Sequence, residues 1–233
     1  MLFALRHPAI LLGLVLGFLI GVTVRAVMQQ RAVSARRLRS AGARRRSAGP
    51  PGGAAWTSYL DPYGAVAAVV AGVGWGARVQ PRATRGARAY VPLLVALAVH
   101  GVLAVAGFAA YRALSGPLVT GPHLLGHGVL ASDILHGAIG GGSAAAQVAM
   151  GFAVENLACG LLALAPIPPL ELGVVLWSQL PRSPGARRLA YRLLEEAWGV
   201  LIVLVGLLLP LAGQRPALLA LIDIVADPLL RLV

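Results

Sequence analysis

Apolar positions in this chain form long unbroken runs, not alternating or striped patterns, and the runs set the first expectation. Pro8–Val27, Val91–Ala113 and Ala144–Ala165 are each apolar over about the 20 residues that a helix needs to cross the hydrocarbon core of a bilayer. Each predicts a spanning helix. Ala197–Leu211 predicts a fourth, more oblique span. Tyr63–Ala77 and Leu172–Leu180 are too short to cross and read as re-entrant or interfacial segments. The valines and glycines of Tyr63–Ala77, Gly64, Gly72, Gly74 and Gly76 among them, suit a strand as well as a helix. Pro216–Val233 carries Asp223 and Asp227 and is either interfacial or a short return. The expected fold is all-α and polytopic, with about four spanning helices plus short re-entrant segments. No period of 20–50 residues repeats, so a solenoid is excluded and residues 1–233 are expected to form a single membrane domain.

Composition supports this class. The chain is 58% hydrophobic and 12% charged, half the charged share of about 25% usual in soluble domains. The formal charge of +12 comes entirely from arginine. A basic total can signal nucleic acid, but these arginines sit beside apolar runs, where they fix topology instead. Nucleic acid is therefore not an expected partner; the lipid bilayer is. The first tract, Arg25, Arg31, Arg36, Arg37, Arg39, Arg44, Arg45 and Arg46, lies in a stretch (24–62) expected to be a basic cytoplasmic loop, which puts the N-terminus outside. Its Arg36–Arg46 part could also meet anionic lipid heads. Further groups, Arg78, Arg82, Arg85 and Arg88, then Arg182, Arg187, Arg188 and Arg192, belong to the same side. The glycine-rich stretch 114–143 has no arginine and is expected to be an external connection. No small-residue cleavage site precedes the basic tract, so the first run reads as a retained helix in a multi-pass cell-membrane protein. Cys159 has no second cysteine to pair with and reads as a packed small hydrophobe.

The chemistry-bearing feature is Pro166-Ile167-Pro168-Pro169-Leu170-Glu171, a proline break and a carboxylate at the end of the third long run. Broken backbone at membrane depth needs protein or a polar cavity to satisfy its freed groups, and a carboxylate there is a functional-site hypothesis by default. Its alternatives are a metal ligand or proton-handling group in a cavity, or an interfacial carboxylate balanced by a nearby arginine.

Leu164-Ala165-Pro166-Ile167-Pro168-Pro169-Leu170-Glu171 resembles the N-L-x-P-x-P-P-L-D-G motif of site-2 proteases, the intramembrane zinc metallopeptidases. Leu60-Asp61-Pro62-Tyr63-Gly64 is similar to the family's L/I-D-P-x-G, and Gly74-Trp75-Gly76-Ala77-Arg78-Val79 to its G-W-x-K-P-V. Asn156 falls where small members carry an asparagine. The pieces occur in the family's order from the first helix to about Trp198. The resemblance implies a zinc held by two histidines of H-E-x-x-H and by the carboxylate of the proline motif, with the glutamate of H-E-x-x-H as general base.

The sequence departs from that pattern where the chemistry would be. Aligned on the end of the first helix, H-E-x-x-H reads Arg25-Ala26-Val27-Met28-Gln29. Arginine is a permanent cation and offers no lone pair to zinc, and Ala26 transfers no proton. Glu171 stands for the aspartate, Ala163 for the motif's asparagine and Leu172 for its glycine; the family's A-G-P-x-S-N reads Ala98-Val99-His100-Gly101-Val102-Leu103. Arg25, Ala26, Gln29 and Glu171 are thus degenerate active-site positions. An Arg25–Glu171 pair in place of the metal would neutralise both buried charges.

Other histidines are alternative candidate ligands. His123 and His127 share a helical face by spacing, with Asp133 and His136 following, but Gly121, Pro122, Gly126 and Gly128 weaken the helix they need. His100 lies mid-helix and suits a bond to another helix better than a metal; His7 reads as interfacial. Glu155 and Asn156 are polar residues within a span and should face the bundle, where Asn156 either bonds a neighbouring helix or, as the resemblance allows, holds a substrate backbone. Asn156, Pro168 and Pro169 are the substrate-groove candidates. Gly13, Gly17 and Gly21 form a G-x-x-x-G series that permits close helix packing.

The expected function is a non-catalytic site-2-protease-like membrane protein, a pseudoprotease that binds a transmembrane segment of another protein and holds no cofactor. One alternative is an active intramembrane zinc metalloprotease of regulated proteolysis, with Glu171, His100, His123 or His127 as atypical ligands. Another is a small proton-coupled transporter using Glu155 and Glu171.

Overall fold

A computed structural model describes residues 1–40, 56–77, 86–115, 130–137, 142–179, 183–194, 196–212 and 215–230. The described chain is mostly helical. The elements are α1 (Pro8–Ser40), α2 (Pro62–Ala71), α3 (Val91–Ser115), α4 (Ala131–Leu135), α5 (Ala144–Leu162), α6 (Glu171–Gln179), α7 (Pro184–Leu194), α8 (Trp198–Leu208), β1 (Pro210–Ala212), β2 (Arg215–Pro216) and α9 (Ala217–Leu230). Among the described residues, three helices are long and apolar enough to cross a membrane: α1 over Pro8–Ala32, α3 and α5.

These three pack against one another to make the core, with α5 between α1 and α3. The α1–α5 crossing is close because glycines line it. A Cβ at Gly13 would run into the carbonyl of Val148, and one at Gly17 into the Glu155 side chain and the Phe152 carbonyl. The G-x-x-x-G series is thus used inside the molecule.

Three expectations change. Ala197–Leu211 does not form a fourth helix of spanning length: α8 has 11 residues, a length of about 16 Å at 1.5 Å per residue, roughly half the hydrocarbon thickness. Pro210 follows it, and β1 pairs antiparallel with β2 in a short two-stranded ladder within a mostly helical chain. The stretch 24–62 is not a loop throughout, because α1 continues to Ser40; alanine, arginine and leucine are good helix formers, and neither glycine nor proline interrupts them before that point. Within the supposed connection 114–143, Ala131–Leu135 is helical.

The segment Tyr63–Ala77 resolves into both conformations its composition allowed. Asp61 caps α2, accepting from the backbone N–H groups of Tyr63 (2.9 Å) and Gly64 (3.0 Å), with Pro62 at the first helical position. Gly72 closes α2 in the left-handed conformation, φ 89°. The chain then returns extended alongside the same helix. Gly64 lies against the Trp75 carbonyl and Gly74 against that of Gly64, so neither position has room for a Cβ. A Leu60–Gly76 bridge and an Ala77 N–H bond to the Tyr59 carbonyl (2.8 Å) bring both ends of the segment together. This is a helix-and-extended-chain hairpin beside the C-terminal half of α1's apolar run.

At the opposite end of the bundle, α4 is tied to α9. Asp223, buried in α9, accepts from the backbone N–H (2.8 Å) and hydroxyl (2.6 Å) of Ser132 and from Arg215 (3.2 Å). Arg215 also reaches Asp133 at 3.4 Å. Pro216–Val233 is accordingly a packed helix over Ala217–Leu230.

Candidate functional site

Val22, Arg25 and Gln29 recur at three- and four-residue spacing and so share one face of α1. All three are buried. The Gln29 amide donates to the Pro92 carbonyl at the start of α3 (2.8 Å). Arg25, 3% exposed, crosses to the first residue of α6, and its Nη1 donates to Glu171 Oε1 in a salt bridge. Its Nη2 reaches the Ala77 carbonyl at 3.5 Å.

The proline run explains how Glu171 arrives there. After α5 the chain turns through Pro166–Leu170, and the Leu172 N–H bonds back to the Ala163 carbonyl (3.0 Å). Gly173 lies on the Ile167–Pro168 backbone and Gly199 on the Pro168 carbonyl, which clamps the turn between α6 and α8. The Pro168–Pro169 bond is cis. Pro166 cannot donate a backbone hydrogen bond, so helix α5 stops short of it and α6 begins at the carboxylate.

Arg25 and Glu171 line a tight crevice with Val22, Gly74, Trp75, His100, Cys159, Leu162, Ala163 and Leu170. It leaves no room for a water molecule. Behind it, the His100 Nδ1–H donates to Asn156 Oδ1 (3.1 Å), and the Asn156 amide donates to the carbonyls of Phe152 (2.9 Å) and Gly17 (3.4 Å). Asn156 thereby links α1, α3 and α5. The Cys159 thiol lies 3.5 Å from Glu155 Oε1 and 3.6 Å from the Gly74 carbonyl. Among the described residues, three buried side-chain atoms have no hydrogen-bond partner: Arg25 Nε, Trp75 Nε1 and Glu155 Oε2.

Sequence-based site residues therefore divide into groups. Arg25, Gln29 and Glu171 converge on one end of the bundle, and His100 lines the same crevice as the ion pair. Ala26 is buried beside them and contributes only packing. Asn156, Pro168 and Pro169 are buried in the bundle or its turn and present no open surface to a bound segment. His123 and His127 lie outside the described residues. His136 closes α4; burial lowers its pKa below the ordinary 6.5, while the Ala71 carbonyl, Asp133 and Asp223 oppose that shift. Trp75 and Cys159 were not expected at the site; the return of the chain after Gly72 brings Trp75 there, which only the G-W pair hinted at, and Cys159 reaches it from α5.

Among the described residues, those around Glu171 do not fit a zinc ion. The Arg25 guanidinium holds Glu171 Oε1, Gln29 is engaged with Pro92 and His100 with Asn156. No group of three histidine, cysteine, aspartate or glutamate side chains able to hold a metal occurs among the described residues. Comparison with protein-family models, curated proteins and solved structures finds no match to this chain.

Proposed function

We propose that the chain is a site-2-protease-like membrane protein that binds and does not cleave: a pseudoprotease holding an apolar transmembrane segment of another protein. The observation that carries this reading is the Arg25–Glu171 ion pair. In the resemblance, these two residues stand at a zinc-ligand histidine and at the zinc-ligand carboxylate. An arginine there supplies the positive charge that the carboxylate needs, without a Lewis acid or a general base. Two further features support it. Asp61, Pro62 and Gly64 build the cap and close approach of a re-entrant hairpin, and the proline turn delivers Glu171 to the α1 face at Arg25. The three long apolar helices suit a multi-pass membrane protein, with the arginine-rich end cytoplasmic by the charge bias of its flanking segments.

Since Asn156, Pro168 and Pro169 are covered, a bound segment would have to meet the outer rim of the site. Leu164, in the turn just after α5, and Leu176, on α6, are exposed beside it. Photo-crosslinking side chains at Leu164 and Leu176 in native membranes test the reading. A discrete adduct with one membrane protein is expected from at least one position. Adducts with lipid alone at both would overturn it.

A further inference from the structure

Among the described helices, the most strongly amphipathic plays no part in the site. Helix α7 reads Pro-Gly-Ala-Arg-Arg-Leu-Ala-Tyr-Arg-Leu-Leu. At 100° per residue, Ala186, Leu189, Ala190 and Leu193 fall on one side and Arg188, Tyr191 and Arg192 on the other. The protein covers the apolar side only in part: Ala186, Ala190 and Leu193 are half-buried, while Leu189 is 48% exposed. Arg188 and Arg192 are exposed. A helix with this division, leucine below and arginine above, is built to lie in the plane of a membrane interface.

A second, independent observation fixes the level of that interface. Among the described residues, the exposed large aromatics are Tyr63, Tyr90, Tyr191 and Trp198. Tyr63 opens α2 next to its Asp61 cap, Tyr90 immediately precedes α3, and Trp198 is the first residue of α8. All three sit at the end of the bundle where Arg25 meets Glu171 and Gln29 meets Pro92. Tyr191 lies in α7, whose C-terminal turn packs at the same end through Gly199 against Leu193 and Pro168. Tyrosine and tryptophan collect at the headgroup level, where one side of the ring is apolar and the other wet. The four aromatics form a belt at the height of α7, and Arg188 and Arg192 lie on the helix at that height.

We propose that α7 is an in-plane membrane helix that binds anionic phospholipid headgroups through Arg188 and Arg192 while Leu189 enters the acyl boundary. The partner is the anionic leaflet surface. This assignment requires that the chain be membrane-embedded and is independent of whether the Arg25–Glu171 site binds a partner.

The test uses the full chain in nanodiscs of phosphatidylcholine mixed with phosphatidylglycerol. An environment-sensitive fluorophore on Leu189→Cys is read against lipids quench-labelled in the acyl chain just below the headgroup. Each arginine that reaches the surface should enrich anionic over zwitterionic lipid roughly fivefold. Labelled phosphatidylglycerol should therefore quench far more than labelled phosphatidylcholine, and Arg188→Gln with Arg192→Gln should bring the two close to equal. The same fluorophore on Val102→Cys, on the exposed side of α3, reports folding and should not respond to the double substitution. Inorganic phosphate should not displace the labelled lipid. Equal quenching by both lipids in the unsubstituted helix would overturn the proposal, as would a preference that survives loss of both arginines. Quenching by neither lipid would place α7 outside the bilayer and leave its face to another macromolecule, which also overturns it.

Discussion

Arg25 and Glu171, 146 residues apart in sequence, meet at the end of the bundle as a buried ion pair. Their side chains are 4% and 12% exposed, so neither can hand its charge to water. Removing one partner of such a pair leaves an uncompensated buried charge, which costs about 3–5 kcal/mol, whereas replacing both with apolar residues is often neutral or stabilising. Arg25→Met alone should therefore lower the unfolding midpoint in detergent sharply, and Arg25→Met with Glu171→Leu should recover most of the loss. Single and double variants of equal stability would mean the pair carries no structural charge balance.

Close packing of α1 on α5 makes a second prediction with a built-in control. At Gly13 any larger side chain meets the Val148 carbonyl, whereas at Gly101, on the outer side of α3, a Cβ would meet nothing within 4 Å. Gly13→Val should destabilise by at least the 1–3 kcal/mol typical of overpacking, or about that much if the helices shift apart. Gly101→Ala should be neutral or gain up to about 1 kcal/mol from helix propensity. Thermal unfolding of both variants, measured side by side, checks the contrast.

His136 gives a pH dependence whose sign is fixed. Burial lowers its folded-state pKa below the ordinary 6.5. Below 6.5 the unfolded chain thus binds more protons at this site than the folded one, so its contribution to stability is present above 6.5 and lost as pH falls toward the lowered value. Stability at about pH 5 should drop less in His136→Gln than in the unsubstituted protein, relative to each at neutral pH. An identical drop in both would remove His136 as the cause.

How far these features could be read from the sequence depends on the length scale of the physics. The three long helices were legible because an apolar run of spanning length leaves the chain few options in a membrane. The Asp61–Pro62–Gly64 start of the hairpin stood out in the sequence only through its resemblance to L/I-D-P-x-G, although the Asp61 cap is itself a local interaction. The hairpin's second half was not, because extension after Gly72 depends on Gly74 finding the Gly64 carbonyl, a contact that composition does not encode. The supposed span at Ala197–Leu211 misled because hydropathy does not register that Pro210 and the β1–β2 pairing cut the helix short. At the site, aligning Arg25 with a histidine of the motif the sequence resembles set up its encounter with Glu171. Burial of Asn156 and the placement of Cys159 and Trp75 against the same crevice depend on side-chain geometry between helices, which no single segment carries.

Zinc content tests the central claim, that an arginine stands where the resemblance would put a metal ligand. The full-length protein and its Glu171→Ala variant, equilibrated with zinc and freed of excess, should both hold no stoichiometric zinc. Stoichiometric zinc in the unsubstituted protein that disappears in Glu171→Ala would contradict the account.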